Sequence, residues 1–90
     1  MAKRGKLEIM RDILRLIKEK KNSIKPTPLL RKSGLSSLRF KEYYSELLER
    51  ELITEIVSPA GENCVALTPR GFKFLDKYHA IIEFIEEFDL

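Results

Sequence analysis

Basic and small polar side chains are concentrated on both sides of Gly34, in a pattern that suits contact with a polyanion. Guanidinium and ammonium groups bind phosphate oxygens, an arginine can pair bidentately with guanine, and hydroxyls can hydrogen-bond to base edges. These groups come from Arg31 and Lys32 before the glycine and from Ser36, Ser37, Arg39 and Lys41 after it. We predict base-edge contacts from Ser37 and Arg39, and phosphate contacts from the other basic residues.

Two neighbouring side chains could add to this recognition. Leu38 could touch the methyl group of a thymine, and the Glu42 carboxylate could accept a hydrogen bond from cytosine N4, although it would repel phosphates. Upstream, residues 1–6 form a basic lead that we expect to be flexible, since Gly5 disfavours helix and nothing nearby can be buried. Lys3 and Arg4 could act there as a DNA-contacting arm, or the lead could be an ordinary solvated terminus.

A helix, a tight turn and a second helix would position these side chains. Gly34 is expected to end the first helix in a left-handed conformation, and Ser36 or Ser37 to begin the second. The second helix has one apolar face for the core, formed by Phe40, Tyr44, Leu47 and Leu48. Its opposite face is basic and polar in the early turns and acidic later, which suits a helix that enters the major groove by its N-terminal end. A solvated face of mixed charge is the competing interpretation.

The remaining elements follow from periodicity and turn chemistry. Apolar residues at helical spacing predict a first helix from Leu7 to about Lys21, and Ser23–Lys25, before Pro26, predicts a short edge strand. Thr27-Pro28 predicts a helix start, with Thr27 as the N-cap and Pro28 as the first helical residue, and the same dipeptide recurs at Thr68-Pro69. Two β-type runs at 53–58 and 64–68, separated by turn residues, predict a hairpin. We expect an α+β, mostly helical domain over residues 7–68, followed by an extended C-terminal helix over residues 69–90.

The last helix carries more apolar surface than a small domain can cover. Two seven-residue ladders, Phe74/Ile81/Phe88 and Leu75/Ile82, run along one face as in a short coiled coil. This face should leave the core beyond Tyr78, because each helical residue adds ~1.5 Å along the axis. Exposed apolar stripes of this kind mark interfaces. We therefore predict a homodimer interface formed by Tyr78, Ile81, Ile82, Ile85 and Phe88, in preference to the alternative that the helix folds back onto its own domain.

Composition and charge narrow the functional classes. The 90 residues, 43% hydrophobic and 34% charged, suit one globular domain, and no apolar run approaches the ~20 residues of a membrane span. Thirteen Lys or Arg against three acids give residues 1–41 a charge of +10, whereas four against eleven give residues 42–90 a charge of −7. This polarity suits a polyanion on one side of the molecule. We expect a cytoplasmic protein that does not contact membranes.

Catalysis and metal binding are not indicated by the sequence. The chain has one cysteine, Cys64, and one histidine, His79, so it lacks the Cys/His pairs of a zinc site, and the single thiol suits a reducing compartment. We interpret His79 as a surface residue and the acidic C-terminal end as the solvated side of a helix. We therefore expect no enzyme activity, no cofactor and no small-molecule ligand.

Several short motifs resemble those of the small archaeal winged helix-turn-helix DNA-binding proteins. They are Ser33-Gly-Leu-Ser36, Phe40, Tyr43-Tyr44, Leu47-Leu48, Leu52-Ile53, and Leu67-Thr68-Pro-Arg-Gly71-Phe72 followed by Leu75 and Tyr78. The resemblance covers roughly residues 7–80. It implies a winged helix-turn-helix fold, a role in transcription regulation or chromatin-type DNA binding, and dimers joined through the C-terminal helix.

Two positions depart from the pattern of that family. Glu51 stands before Leu52-Ile53, where such proteins often have glycine; if the backbone is left-handed there, Glu51 carries a strain of about 1 kcal/mol. The expected hairpin tip carries Glu62, and no Lys or Arg occurs between Glu51 and Pro69. Proteins of that family commonly contact DNA with a basic wing. Because this wing has no basic residue, we do not expect it to contact DNA.

Two functional hypotheses follow. The first is a dimeric protein that binds double-stranded DNA as a transcriptional regulator or an architectural protein. The second is a winged-helix module for protein–protein interaction in a larger assembly, which Glu42, Glu46 and Glu49 on the presented helix favour. The feature that separates them is whether Arg31, Lys32, Arg39 and Lys41 form one surface that these acids do not interrupt.

Overall fold

Four α-helices and one β-hairpin follow one another over residues 4–90, the part of the chain that the computed structural model describes. The elements are α1 (Lys6–Glu19), α2 (Pro26–Ser33), α3 (Ser37–Glu49), β1 (Ile53–Val57), β2 (Asn63–Leu67) and α4 (Pro69–Glu87). This order confirms the predicted α+β, mostly helical fold. None of the helices in this range combines the length and the apolar character that a membrane span requires.

One apolar core joins α1 to all the other elements. Ile13, Leu14 and Ile17 of α1 are completely buried, as their spacing along one helical face leads one to expect. The other elements contribute Leu29, Phe40, Leu47, Leu52, Ile53, Val65 and Leu67 to the same cluster. Burying each large side chain stabilises the fold by roughly 1.5–3 kcal/mol, so α1 is the central support on which the rest is assembled.

The start of α2 lies earlier than the sequence led us to expect. Lys25 has extended backbone angles and precedes the helix, and Pro26 occupies the first helical position, where a residue without an N–H is tolerated. Pro28 is then the third residue, still within the turn whose N–H groups have no intrahelical partner. The prediction of Thr27 as the N-cap was therefore wrong. Both prolines fit within one helical turn, and local sequence does not decide which of them opens it.

The starts of α3 and α4 agree with the sequence. Ser36 precedes α3, and its Oγ accepts a hydrogen bond from the backbone N–H of Arg39 at 3.2 Å. Thr68 precedes α4, and its Oγ1 accepts from the N–H of Gly71 at 3.1 Å. Each hydroxyl satisfies one of the N–H groups that a helix leaves unpaired at its N-terminus.

The hairpin is antiparallel, with Ile53 opposite Leu67. The predicted edge strand is reduced to one bridge, in which Ile24 and Val65 exchange backbone hydrogen bonds of 3.2 and 2.8 Å. Asn22 extends this edge through its side chain, because its Oδ1 accepts from the N–H of Leu67 at 2.6 Å and its Nδ2 donates to the Leu67 carbonyl at 3.4 Å. The strand β2 is therefore hydrogen-bonded on both edges.

The turn after α3 packs directly against the start of α4. Glu51 adopts a left-handed conformation with φ of 59°, and its carbonyl accepts from Thr68 Oγ1 at 2.6 Å. The Thr68 N–H donates to the carbonyl of Leu52 at 3.1 Å. A Cβ added to Gly71 would lie only 2.2 Å from that same Leu52 oxygen. Position 71 requires glycine, because the backbone at the start of α4 crosses the backbone of Leu52 there and leaves no room for a side chain.

The C-terminal half of α4 extends beyond the core. The radius of gyration is 13.8 Å, against about 12 Å expected for a compact chain of this length, and the longest axis is 47 Å. Gly71, near the start of α4, is the one buried residue of this helix. Tyr78 and Ile82 are half-buried, whereas Ile81 and Phe88 are each 58% exposed.

Candidate nucleic-acid interface

The turn that presents α3 is fixed by Ser33 and Gly34. Gly34 ends α2 in a left-handed conformation with φ of 74°. Ser33 is buried; its hydroxyl donates to the Leu30 carbonyl at 2.7 Å and accepts from the N–H of Leu35 at 3.2 Å. The chain is therefore locked between α2 and α3, as a helix-turn-helix requires.

The first turns of α3 present the side chains that we expected to contact bases. Phe40 and Leu47 hold the inner face of the helix in the core. The outward residues are all exposed: Ser36, Ser37, Leu38, Arg39, Lys41 and Glu42. Leu38 is 70% exposed, and the Arg39 guanidinium lies 5.9 Å from the ring centroid of Tyr43, which restrains it by a cation–π contact.

Arg31 and Lys32 lie in the last turn of α2 and are also exposed. The amine of Lys20, from the end of α1, lies beside Lys32 and lowers the pKa of Lys32, with a smaller effect from burial. A phosphate bound between the two ammonium groups would relieve this repulsion. Sequence reasoning missed Lys20, because eleven residues of chain lie between Lys20 and Lys32 and only the packing of α1 on α2 brings them together.

Arg4 is bound within the fold. One guanidinium nitrogen donates to Asp12 Oδ2 at 2.9 Å, and the other donates to the carbonyl of Ser33 at 3.0 Å. The arginine thereby pairs with a carbonyl at the C-terminal end of α2, where a cation is favourable. Lys3 lies outside the described residues, and the DNA-contacting arm considered for Lys3 and Arg4 stays a prediction.

The acidic later turns of α3 are partly neutralised by residues that sequence reasoning did not select. Lys6 Nζ and Arg50 Nε each lie 2.8 Å from Glu46 Oε2. The hydrogen bond from Lys6, followed by that from Arg50, lowers the pKa of Glu46. Glu42 and Glu49 make no ion pair with any residue from 4 to 90.

The predicted residues do not all fall in one hollow of the surface. Leu38, Lys41 and Glu42 line an open groove along α3. Arg39 lines an adjoining hollow that Glu42 also borders. Lys32 lies in a different hollow, between α1 and α2. The basic residues of α3 are therefore interrupted by Glu42.

The wing carries the acidic residue that the sequence led us to expect at its tip. Glu62 lies in the β1–β2 turn and forms an ion pair with Lys25, which precedes α2. The hydrogen bond from Lys25 to Glu62 raises the pKa of Lys25. The carboxylate at the tip of the wing is thus paired with a cation from the segment that precedes α2.

The predicted dimer residues differ in exposure. Ile81, Ile85 and Phe88 are exposed, and so are Phe84 and Leu90. Tyr78 and Ile82 are half-buried. His79 is exposed as expected, and its Nε2 lies 2.7 Å from Glu83. Within residues 4–90, no three His, Cys, Asp or Glu side chains are placed to hold a metal ion.

A helix-turn-helix locked at Gly34 and followed by a two-stranded wing is the arrangement that defines winged helix-turn-helix proteins. The sequence profile described as winged helix-turn-helix matches residues 3–86. The chain belongs to the winged helix-turn-helix family. The resemblance inferred from short motifs is therefore confirmed at the level of the family and the fold.

Two solved structures share this winged helix-turn-helix fold. The DNA-binding protein Sso10a-2 from Sulfolobus solfataricus superposes with a TM-score of 0.73 at 20% identity, covering 94% of this chain and 85% of that one. The PcaV transcriptional regulator from Streptomyces coelicolor superposes with a TM-score of 0.72 at 17% identity, covering 88% of this chain. The chain spans 59% of PcaV. No curated protein sequence matches the chain.

Proposed function

We propose that this winged helix-turn-helix protein binds double-stranded DNA by inserting the first two turns of α3 into the major groove. The observation that carries the proposal is the exposed N-terminal face of α3, on which Ser37, Arg39 and Lys41 point away from a helix anchored by Phe40 and Leu47. The positive end of the helix dipole adds to the attraction for phosphates.

The charge distribution supports the same orientation. Residues 1–41, which carry a charge of +10, include the start of α3 and the exposed Arg31 and Lys32. Glu46, the carboxylate in the third turn of α3, is already paired with Lys6 and Arg50. The Glu42 carboxylate remains the main source of repulsion toward phosphates. Because it is a hydrogen-bond acceptor, it would favour a cytosine as the base that it contacts.

We further propose that the protein acts as a homodimer joined through α4. The single basic footprint on α3 is small, and two copies would double the number of phosphate contacts. The exposed Ile81, Ile85 and Phe88 support this assembly, because apolar stripes of this kind are usually covered by a partner. The role would be that of a transcriptional regulator or a DNA-architectural protein, consistent with the cytoplasmic location predicted from the sequence.

A salt titration tests the DNA-binding proposal. Binding to a random-sequence duplex, followed by fluorescence anisotropy, should weaken steeply with salt, with a slope in log–log form of roughly 0.9 per phosphate contact. Lys41→Ala should reduce this slope by roughly 0.9, the amount that corresponds to one phosphate contact. Lys77→Ala on α4 removes the same charge elsewhere and should leave the slope unchanged. Binding that is absent in low salt or insensitive to salt would reject the proposal.

The alternative is a winged-helix module for protein–protein interaction. Glu42 and Glu49, which pair with no described residue, favour this function because they present negative charge on α3. A selection of bound sequences from a random DNA pool separates the two functions. Enrichment of a two-fold symmetric site would support DNA recognition by a dimer, and recovery of no preferred sequence together with weak binding would favour the module.

A further inference from the structure

The turn between α2 and α3 consists of Gly34, Leu35 and Ser36, because α2 ends at Ser33 and α3 begins at Ser37. The backbone angles of this turn set the direction in which α3 leaves the body of the protein. Glycine has the widest range of backbone conformations, so Gly34 is the point at which α3 is most easily displaced. A restraint from outside the turn is therefore most effective close to Gly34.

Arg4 supplies such a restraint. Its Nη2 donates to the carbonyl of Ser33 at 3.0 Å. Because a peptide group is planar, a fixed Ser33 carbonyl also fixes the direction of the Gly34 N–H. A Cβ built on Gly34 would lie 3.6 Å from this same nitrogen, at van der Waals contact. The guanidinium therefore lies over the turn and holds the peptide group through which the chain enters it.

Asp12 of α1 holds the guanidinium in place. Arg4 Nη1 donates to Asp12 Oδ2 at 2.9 Å, and Asp12 Oδ1 lies 2.7 Å from Arg11 Nε. The Arg11 guanidinium in turn lies 5.1 Å from the ring centroid of Tyr78 on α4. Each oxygen of the Asp12 carboxylate thus has an arginine partner, and the carboxylate cannot rotate without losing an ion pair.

The backbone behind Asp12 is firmly held. The next two residues of α1, Ile13 and Leu14, are completely buried in the core. The side chains of Arg4 and Asp12 are 35% and 25% exposed, so water screens their ion pair less than it would screen one on an open surface. The Ser33 carbonyl is in this way tied to the central helix of the fold.

An arginine suits this bridge better than a lysine. The guanidinium nitrogens lie in one rigid plane, so binding of Nη1 to the carboxylate directs Nη2 toward a second acceptor. A lysine carries the same charge on a flexible stem and would not fix the angle between the two acceptors. The arrangement therefore depends on the shape of the Arg4 side chain as well as on its charge.

We propose that Arg4 is a positioning residue for DNA recognition, which sets the orientation of α3 by holding the Ser33 carbonyl against Asp12. This inference rests on the DNA binding proposed above. Side chains that read base edges must be held within about 0.5 Å or 10–20° of their productive geometry, whereas phosphate contacts carry no sequence information. Loss of the bridge should therefore reduce discrimination between DNA sequences more than it reduces DNA binding in general.

The competing role for Arg4, a phosphate contact in an N-terminal arm, gives the opposite response to a change at Asp12. If Arg4 bound phosphate, removal of the Asp12 carboxylate would free the guanidinium, strengthen binding to any duplex and steepen the salt slope by roughly 0.9. If Arg4 positions α3, the same change weakens binding to a preferred site and leaves the salt slope on other duplexes unchanged. The sign of the effect of Asp12→Ala therefore separates the two roles.

Fluorescence anisotropy titrations on a site selected from a random pool and on a scrambled duplex test the inference. Arg4→Lys and Asp12→Ala should each lower the ratio of the two affinities by about tenfold, the size expected for one hydrogen bond to a charged group. The double variant should lose no more than either single variant, because both changes break the same bridge. Glu8→Ala removes one carboxylate elsewhere on α1 and should leave the ratio unchanged.

Amide hydrogen exchange of the free protein gives a second measurement that does not depend on DNA. The N–H of Leu35 donates to Ser33 Oγ at 3.2 Å within the turn, and it should exchange severalfold faster in Arg4→Lys and Asp12→Ala. The amides of Ile13 and Leu14 should exchange as in wild type, which shows that the core of each variant remains folded. A general loss of stability would instead accelerate all of these amides.

Three results would overturn the inference while leaving DNA binding standing. One is an unchanged affinity ratio in Arg4→Lys, which would show that charge alone is sufficient. Another is tighter binding by Asp12→Ala than by Glu8→Ala, which would make Arg4 a phosphate contact. The third is a wild-type protein that binds DNA without any sequence preference. A wild-type protein that binds no duplex overturns the proposed function, and the recognition role of Arg4 with it.

Discussion

The ammonium group of Lys6, the first residue of α1, lies 2.8 Å from the Glu46 carboxylate in the third turn of α3. This contact ties the start of the chain to the helix proposed to enter DNA. Arg50 approaches the same carboxylate oxygen at 2.8 Å from the end of α3. Two cations are thereby held beside the recognition helix by one acid, and Glu46 limits how much of their charge is available to phosphates.

Replacing Glu46 by glutamine should strengthen DNA binding. The change removes a negative charge from α3 and frees Lys6 and Arg50 for phosphates, so the affinity in low salt should rise severalfold and the salt slope should steepen by roughly 0.9 for each new contact. Anisotropy titrations measure both quantities. Glu8→Gln on α1 makes the same charge change outside the α3 groove and should have little effect; equal gains from both variants would contradict this role.

The same carboxylate should make a small contribution to stability at neutral pH. The pKa of Glu46 is lowered in the folded state, first by Lys6 and then by Arg50. The stabilisation is therefore present above the unfolded pKa of about 4.3 and is lost as the pH falls through the folded value. Below about pH 4.3, wild type should lose stability more steeply than Glu46→Gln, as measured by urea unfolding.

Glycine at position 51 should stabilise the protein. Glu51 has φ of 59°, and its Cβ disfavours this left-handed conformation by roughly 1–2 kcal/mol. Glycine removes that strain but increases the entropy of the unfolded chain, so we expect a net gain of about 0.5–1 kcal/mol in the free energy of unfolding. Glu51→Ala deletes the same carboxylate without relieving the strain. An alanine variant as stable as the glycine variant would assign the effect to charge.

Local chemistry explains which features the sequence predicted. Gly34, Ser36 and Thr68 each act on residues within three positions along the chain, and their roles as helix end and helix caps agree with the structure. The left-handed backbone at Glu51 could likewise be anticipated, because the turn motif around it normally uses glycine. Such features depend on backbone geometry that neighbouring residues fix.

Tertiary packing explains what the sequence did not predict. The Lys20–Lys32 pair and the Lys6–Glu46 pair both join residues that are distant in the sequence. Arg4 was assigned to a flexible lead, but its two partners lie on α1 and at the end of α2. A local sequence pattern does not predict these partners, because several acids and carbonyls lie within reach of an exposed cation once the helices are packed.

Alanine at position 71 should strongly destabilise the fold. An added Cβ would approach the Leu52 carbonyl oxygen to 2.2 Å, and neither backbone can move without breaking the hydrogen bonds of Thr68. Overpacking of this kind costs about 1–3 kcal/mol, and we expect the upper part of that range because the clash is with backbone. Urea unfolding measures the change. Gly5→Ala, where the added Cβ meets nothing within 4 Å, is the matched control.

Arg39 should determine sequence preference, whereas Lys41 should contribute only affinity. Arg39 is exposed in the first turn of α3 and contacts the ring of Tyr43, so its guanidinium is suited to a bidentate contact with guanine. Arg39→Ala should reduce the ratio of specific to non-specific affinity by about 1–3 kcal/mol, a factor of roughly 5 to 150. Arg39→Lys keeps the charge but loses the planar fork, and should restore non-specific binding without restoring the ratio.

Parallel titrations on a site selected from a random pool and on a scrambled duplex separate these effects. Lys41→Ala should weaken binding to both duplexes equally, because a phosphate contact carries no sequence information. If Arg39→Ala also weakened both duplexes equally, Arg39 would be a phosphate contact like Lys41. Base reading by α3 would then depend on Ser37, Leu38 and Glu42, the remaining exposed side chains of its first two turns.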